Sequence, residues 1–334
     1  MSTVLVTAAG SPEGVALCLA LAAQMPVLAC GPEPETAMEP LFRGSAVRWV
    51  RADLSHSRTR RGLLFGAALD ARVDVVVHAP SRETMRPHGA ADAVREMLHL
   101  CERHATIQRF IYRSTGEVYR VGPGDPALID EEHPVESDPS APDWLRDLVE
   151  ADQAACARIG TSRLRVTVLR CAELFAPGAD GQLQRWLRTD PCVRPLGYDP
   201  MVNLITREDL VRAIALAVRA HESGVFNIPG ADLLPLSELA ARSGQRCLPL
   251  PGWLVPASYR LRALAGPGFD YRTSERRFHF GGILCGRAAL ATLGYQPRAG
   301  LWDVAQPPVV RTVSLNGPAS NPGGEGGSVL EAKA

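Results

Sequence analysis

The sequence predicts an α/β protein: a doubly wound parallel sheet followed by a smaller α/β part. Three observations carry this. Short β-branched runs alternate with helical stretches through the first half of the chain. The first run feeds a glycine-bearing turn that opens a helix. From about residue 171, Pro, Gly and Trp become frequent and the alternation is broken by long loops. Alternating strands and helices cover a parallel sheet on both faces. Right-handed crossovers then wind it in both directions, as in a Rossmann sheet.

The elements follow in order. Thr3–Thr7 (TVLVT) reads as a buried strand and Gly14–Gln24 as an apolar helix. Pro26–Cys30, Val47–Arg51, Asp74–His78 and Arg109–Arg113 read as strands two to five, with helices around 56–70 and 90–104. A helix near 143–158 precedes a sixth strand, Val166–Arg170. Beyond 171, Glu208–Ala220 is a clear helix, with Thr206 as N-cap and Glu208 and Asp209 in its first turn. Val225–Ile228 reads as a short strand, and Leu236–Arg242 as a helical stretch with Ser237 near its start. The expected division is a Rossmann core over 1–170, a smaller substrate-binding part over 171–312 with segments returning to the core, and a disordered tail over 313–334. The tail is expected because 316–334 is rich in Gly, Ser and Pro.

A chain of 334 residues is long enough for two domains. Lys+Arg and Asp+Glu are both 36, so the net charge is zero and no electrostatic nucleic-acid or anionic-membrane partner is expected. No apolar run reaches the roughly 18 residues of a membrane span. The N-terminus carries no basic leader, which suggests the cytoplasm. The eight Cys are dispersed without a C-x-x-C, a pattern of reduced thiols rather than of a disulfide frame or a metal site. The only Lys is Lys333, so 35 of the 36 basic residues are Arg.

The turn after the first strand is T-A-A-G-S-P-E-G, Thr7 to Gly14. Such a strand–turn–helix binds a pyrophosphate through backbone N–H groups and the positive helix end. In the register T-G-x-x-G-x-x-G, Ala8 and Ser11 stand at glycine positions and only Gly14 fits, with Gly10 one place early. A non-glycine residue at positive φ costs roughly 1–2 kcal/mol, so the loop is reshaped; a plain sheet–helix turn is the alternative. Asp53 and Leu54, after strand three, are candidates for the adenine edge; a helix-capping Asp53 is the alternative. Strand two ends in Cys30-Gly31-Pro32, with neither an acid for a ribose 2′-OH nor an Arg for a 2′-phosphate. Glu33 and Glu35 are displaced candidates for that acid on a Pro-rich loop, where a solvated loop charge is the favoured reading.

These landmarks add up. The segments VLVTAAGSPEG, ADL (52–54), DVVVHAPS, RFIYRSTGEVYR, VTVLRCAELFAPG, TREDLVRAIALAV and GVFNIPG, in this order, resemble the extended short-chain dehydrogenase/reductase family, the NAD-dependent epimerase/dehydratase group. LRCA with the late LGYQPR looks most like an atypical actinobacterial branch. The resemblance runs from residue 2 to about 303. It implies NAD or NADP in the N-terminal domain, touching Thr7, Ala8, Gly10, Ser11, Gly14, Asp53, Leu54, His78 and Ala79. It also implies a small-molecule substrate, such as a nucleotide sugar, in the C-terminal part. Catalysis in the family uses Ser/Thr, Tyr and Lys. Thr115 falls on the Ser/Thr position.

The Tyr-x-x-x-Lys helix is SAPDWLRDLVEADQ here. If Glu150 is the family's following Glu, Arg146 replaces Lys and Pro142 replaces Tyr. If Asp152 is, Leu148 replaces Lys and Trp144 replaces Tyr. The first register keeps a basic residue, so Thr115 and Arg146 are the catalytic candidates, Arg146 also as a cofactor contact; both registers lose the Tyr. Tyr119, Tyr198, His78 and Glu117 are candidate replacement acid/bases; the alternatives are a core or pocket-wall aromatic for Tyr119, a strand-end residue satisfied by backbone for His78 and a solvated loop charge for Glu117. On the substrate side, Arg170 and Glu173 match the family's R-P-x-N, with Glu in place of Asn. Arg185, Arg188, Arg194 and Arg272 are candidates for a diphosphate.

Three functions remain open: a catalytically degenerate member that still binds NAD(P) or a sugar nucleotide, an active oxidoreductase or epimerase with non-standard acid/base residues, and a ligand-free interaction protein. In many relatives the helices near 90–104 and 143–158 pair into a homodimer interface, and a homodimer through these helices is among the partners the resemblance implies here.

Overall fold

The structure is a computed structural model that describes residues 2–80, 89–263 and 269–302. The expected tail at 313–334 lies outside the described residues. In chain order the first half contains β1 (Val4–Val6), α1 (Pro12–Ala22), β2 (Val27–Gly31), α2 (Glu35–Phe42), β3 (Val47–Arg51), α3 (Ser57–Leu63), β4 (Val75–His78), α4 (Ala90–Glu102), β5 (Arg109–Thr115), β6 (Leu128–Ile129) and α5 (Asp143–Cys156). There follow β7 (Arg165–Cys171), β8 (Glu173–Leu174), α6 (Gln182–Leu187), β9 (Cys192–Pro195), β10 (Met201–Ile205) and α7 (Arg207–Ala220). The chain continues through β11 (Gly224–Ile228), β12 (Asp232–Pro235), α8 (Leu236–Arg242), β13 (Cys247–Leu250), α9 (Leu254–Ala263), α10 (Glu275–Phe280), β14 (Ile283–Leu284) and α11 (Arg287–Leu293).

Seven strands form one parallel sheet in the order β11-β7-β5-β4-β1-β2-β3. Val4 of β1 lies opposite Val27 on one side and Val75 on the other. The apolar runs VLV and VVVH are buried at every residue, because helices cover both faces. One core cluster packs α1 and α7 on one face; a second packs α4 and α5 on the other. The strand order reverses between β1 and β4, which opens a crevice at the carboxyl ends of the strands.

The second half builds a smaller lobe on β8–β10–β12 and β9–β13, with its own core around Trp186, Tyr259, Tyr271 and Phe278. Segments return to the main sheet: β11 joins its edge, and α11 packs on α7.

Several expectations change. The Pro-rich stretch after β2 contains a helix, α2, with Pro40 inside it. The helix expected over 56–70 is α3 continued by a wider π turn, Leu64–Ala68. Ser237 lies in the first turn of α8 as expected, where its N–H and hydroxyl both bond Asp199. Thr206 does cap α7, accepting from the Asp209 N–H at 3.2 Å. Asp209 accepts the Arg298 and Ala299 N–H groups, fastening the last described segment to α7. All eight Cys are free thiols.

Candidate functional site

The β1–α1 turn is built on three positions. Ala8 is held at φ +52, the left-handed region that favours glycine. Gly14 sits where a Cβ would approach Ala8 O to 2.6 Å, so helix and strand need its bare backbone there. Ser11 caps α1: its hydroxyl accepts the Gly14 N–H at 3.1 Å. Pro12, at the next position, has no N–H to offer. The turn therefore keeps its shape while its helix-end donors are partly satisfied internally.

Beside it, Thr7 is buried and its hydroxyl meets His78 Nδ1 at 3.0 Å and the Ala79 N–H at 3.2 Å. Burial, then the Arg60 charge, push the His78 imidazole down to about 4, so it is neutral at pH 7. These residues brace β1 against β4. Asp53 accepts from the Ser55 N–H at 2.9 Å and lies 3.7 Å from His56; it closes its own loop rather than capping α3, whose N-cap is His56. Leu54 packs beside the second core cluster.

Glu33, favoured from the sequence as a solvated loop charge, is half-buried beside the end of β2. Its carboxylate lies over the bare Cα atoms of Gly10 and Gly31: a Cβ at Gly10 would meet Glu33 Cδ at 2.1 Å, and one at Gly31 would meet Oε2 at 2.3 Å. Glu33 Oε2 is buried without a hydrogen-bond partner. Glu33 stands two residues beyond β2, and only the turn at Gly31-Pro32 folds it back, so its role was open in the sequence.

Farther along the crevice is a cleft of about 120 Å³. Its walls come from the first turn of α1 (Ser11–Glu13), Pro80, the ends of β5 and β7, Leu148 of α5 and the loop 178–181. Thr115 lines it, and its Oγ1 accepts the Glu117 N–H at 3.2 Å. Arg146 does not: its side chain is 48% exposed and paired with Asp143. The α5 residue at the cleft is Leu148, in the register that reads Trp144 and Leu148 for Tyr and Lys. Arg146 is therefore corrected to a surface residue.

The reason is Asp152. It is fully buried, accepts from Ser114 Oγ at 2.5 Å, and pairs with Arg170 at 2.6 Å. An acid at this position locks the face of α5, and one helical turn earlier lies Leu148. Arg170 is thereby also taken out of the cleft. It is buried against Asp152 and lies 4.7 Å above the Tyr119 ring.

Two further clefts adjoin the first. One is lined by Glu117, Glu173, Asn203 and Arg277; the other, about 450 Å³, by Glu117, Tyr119, Trp144, Arg272 and Arg277. Glu117 faces all three. Glu173 reaches the first two while its carboxylate accepts the Leu183 N–H at the start of α6. Among the proposed diphosphate ligands, Arg185 and Arg188 pair with Asp180, and Arg194 bonds the Tyr198 carbonyl. Arg272 lines the largest cleft. Arg277, unmarked by any motif, donates to the Gly116 and Tyr119 carbonyls at 3.1 and 3.3 Å and lines two clefts. Of the replacement acid/bases, Tyr119 is bound to Asn227 at 2.8 Å, and burial pushes its phenol up to about 12. Tyr198 lies outside the walls of these clefts. Only Glu117 stands in all of them. Among the described residues no group of three His, Cys, Asp or Glu side chains could hold a metal.

A parallel sheet with a crevice at its switch point, capped by a second lobe, defines the dinucleotide-binding class of α/β fold. Solved structures of this shape include MoeE5 in complex with UDP-glucuronic acid and NAD, 20% identical, covering 92% of this chain and 98% of that one with a TM-score of 0.66. UDP-glucuronic acid 4-epimerase from Bacillus cereus is 17% identical, with 90% and 96% covered and a TM-score of 0.65. dTDP-glucose 4,6-dehydratase from Bacillus anthracis, solved with NAD, is 15% identical, with 90% and 92% covered and a TM-score of 0.65. The fold is thus the one shared by these NAD-dependent epimerases and dehydratases. Among curated proteins, an uncharacterized protein of Mycobacterium tuberculosis is 28% identical over 273 residues, 77% of this chain and 69% of its own length. No family model matches the chain.

Proposed function

We propose that this protein binds NAD in the strand-end crevice and a nucleotide sugar in the adjoining clefts, and that it lacks the acid/base pair with which related enzymes turn such sugars over. The observation that carries the reading is the contrast along one crevice. Its adenosine end keeps a cradle, with Gly10 and Gly31 bare and an unpartnered buried oxygen of Glu33 above them. Its α5 wall offers Leu148, with Trp144 one turn before it.

These residues fit the group. A ribose diol donates to a carboxylate, and Glu33 Oε2 is a buried acceptor with no donor. The same charge repels a 2′-phosphate, so Glu33 favours NAD over NADP. Arg272 and Arg277 supply the cationic side of the larger cleft, suited to a diphosphate. Bound NAD supplies a hydride acceptor. Moving the substrate proton then falls to the chain, where Thr115 orients a hydroxyl, but Leu148 has no polar atom at the Lys position and Trp144, whose indole N–H only donates, is no titrating acid/base at the Tyr position. A positioned acid/base contributes typically 10²–10⁴-fold. Among the described residues no helix is long and apolar enough to cross a membrane, and we place the protein in the cytoplasm.

Calorimetric titration with NAD⁺, NADH, NADP⁺ and NADPH tests the binding half; micromolar NAD binding, tighter than NADP, is expected. No binding of any of the four at millimolar concentration overturns it. Incubation with NAD and UDP-glucose or UDP-glucuronic acid tests the catalytic half, and unchanged sugar is expected. Turnover would overturn degeneracy and favour the second reading, an enzyme using Glu117, which Glu117→Gln would then silence.

A further inference from the structure

One pair of side chains in the first cleft is not accounted for by this reading. Arg113, at the carboxyl end of β5, points its Nη1 at Glu13 Oε1 in the first turn of α1, 3.8 Å away. Both line the cleft, and their side chains are only 14% and 15% exposed. At 3.8 Å the two charges attract but share no hydrogen bond, and Arg113 Nη1 is buried with no hydrogen-bond partner. Buried donors, charged ones above all, are almost always bonded. A hydroxyl oxygen that accepts from Nη1 and donates to Oε1, about 2.8 Å from each, closes the gap, as does a carboxamide whose oxygen accepts and whose nitrogen donates.

We propose that Glu13 and Arg113 read a neutral group of the ligand that is acceptor and donor together: a hydroxyl or a carboxamide. The inference rests on the binding function proposed above. An anionic group suits the position poorly, because the Glu13 carboxylate faces whatever approaches Arg113. Two ligands supply the neutral chemistry. Glu33 marks the adenosine end over β2, so the other end of a dinucleotide falls over β4 and β5, where a nicotinamide carboxamide meets the pair. A nucleotide sugar entering from the adjoining clefts brings hydroxyls to the same place.

Isothermal titration separates the two sources. NAD⁺ is compared with ADP-ribose, which lacks the nicotinamide, and UDP-glucose with UDP, each against wild type, Arg113→Met and the isosteric Glu13→Gln. If the dinucleotide is read, NAD⁺ binds wild type about tenfold more tightly than ADP-ribose, and both variants close that gap while ADP-ribose binding is unchanged. If the sugar is read, the gap between UDP-glucose and UDP closes instead. UDP-glucuronic acid gains affinity in Glu13→Gln only if the pair faces the sugar. Variants that move neither gap by more than twofold overturn the inference and leave the binding function standing. A wild type that binds none of these ligands overturns both. Thermal unfolding of each variant, expected within a few degrees of wild type, guards against a folding defect.

Discussion

Glu33 and His78 show how the same crevice uses charge at one residue and withholds it at another. Glu33 holds a carboxylate over bare backbone with one buried oxygen unmet. A hydrogen bond to a charged group contributes about 1.5–3 kcal/mol. Glu33→Gln is therefore expected to weaken NAD⁺ by roughly tenfold or more, to change NADP⁺ far less, and so to narrow the preference between them. Parallel titrations of both dinucleotides check this, and an unchanged ratio would show that Glu33 does not face the ribose. His78 is the opposite case. Its folded pKa of about 4 lies below the 6.5 of the free side chain, because burial disfavours the imidazolium and Arg60 adds to it. The unfolded chain thus binds the proton first as pH falls. The stability that neutral His78 contributes is fully present above pH 6.5 and is lost between 6.5 and about 4, a change of order 3 kcal/mol. Urea unfolding from pH 7 to 4.5 should show the decline, and His78→Gln should flatten it. Equal slopes in both proteins would remove His78 from the account.

Helix α5 is the element on which the site turns. Its N-terminal half carries Trp144 and Leu148 to the clefts, and its C-terminal half is pinned by Asp152 to Arg170 and Ser114. Asp147 adds a second anchor, accepting the Ala90 and Ala91 N–H groups at the start of α4. Removing one partner of a buried ion pair strands the other, at a cost of about 3–5 kcal/mol. Asp152→Ala is expected to lower the unfolding free energy by that amount, while Arg146→Ala, on the exposed side, changes it by less than about 0.5 kcal/mol. Chemical denaturation compares them; similar losses would mean that Arg146, not Asp152, sets the face of the helix. The same helix shows what the sequence could disclose. Strands β1 and β4 were plain because burial on both faces leaves an uninterrupted apolar run. The two registers of α5, by contrast, differ only in whether Glu150 or Asp152 is the inward acid. Glu150 is solvated beside Arg95, and Asp152 is buried beside Arg170, a distinction made by tertiary packing alone. Helix α2 was hidden by Pro34 and Pro40, and the smaller lobe by strands of two to five residues whose apolar positions meet only in three dimensions. Glu33 is brought over Gly10 and Gly31, and Arg277 to two of the clefts, by loop and helix geometry that no spacing encodes.

At the scale of the whole molecule, the two lobes close three adjoining clefts over one edge of the sheet, and Glu117 stands where they meet. Helices α4 and α5 lie together on the sheet face, so their outward sides decide whether the molecule pairs through them. Between them, α4 presents Asp92, Arg95 and His99 to solvent, and α5 presents Asp143, Arg146, Glu150 and Gln153. Arg95 bridges to Glu150 at 2.9 Å, an ion pair within one chain and half exposed. A stable homodimer seam is apolar at its centre and poor in charge, like a domain core cut in half. Burying this face would desolvate at least five charged groups. The helix pair is therefore expected to remain solvated, and sedimentation equilibrium at micromolar concentration to give the mass of one chain, 35.9 kDa. A mass of twice that value which falls to one chain when Arg95 and Glu150 are both replaced by Ala would place the interface on these helices after all. The charged stripe would then have to be matched, residue for residue, by its own two-fold copy.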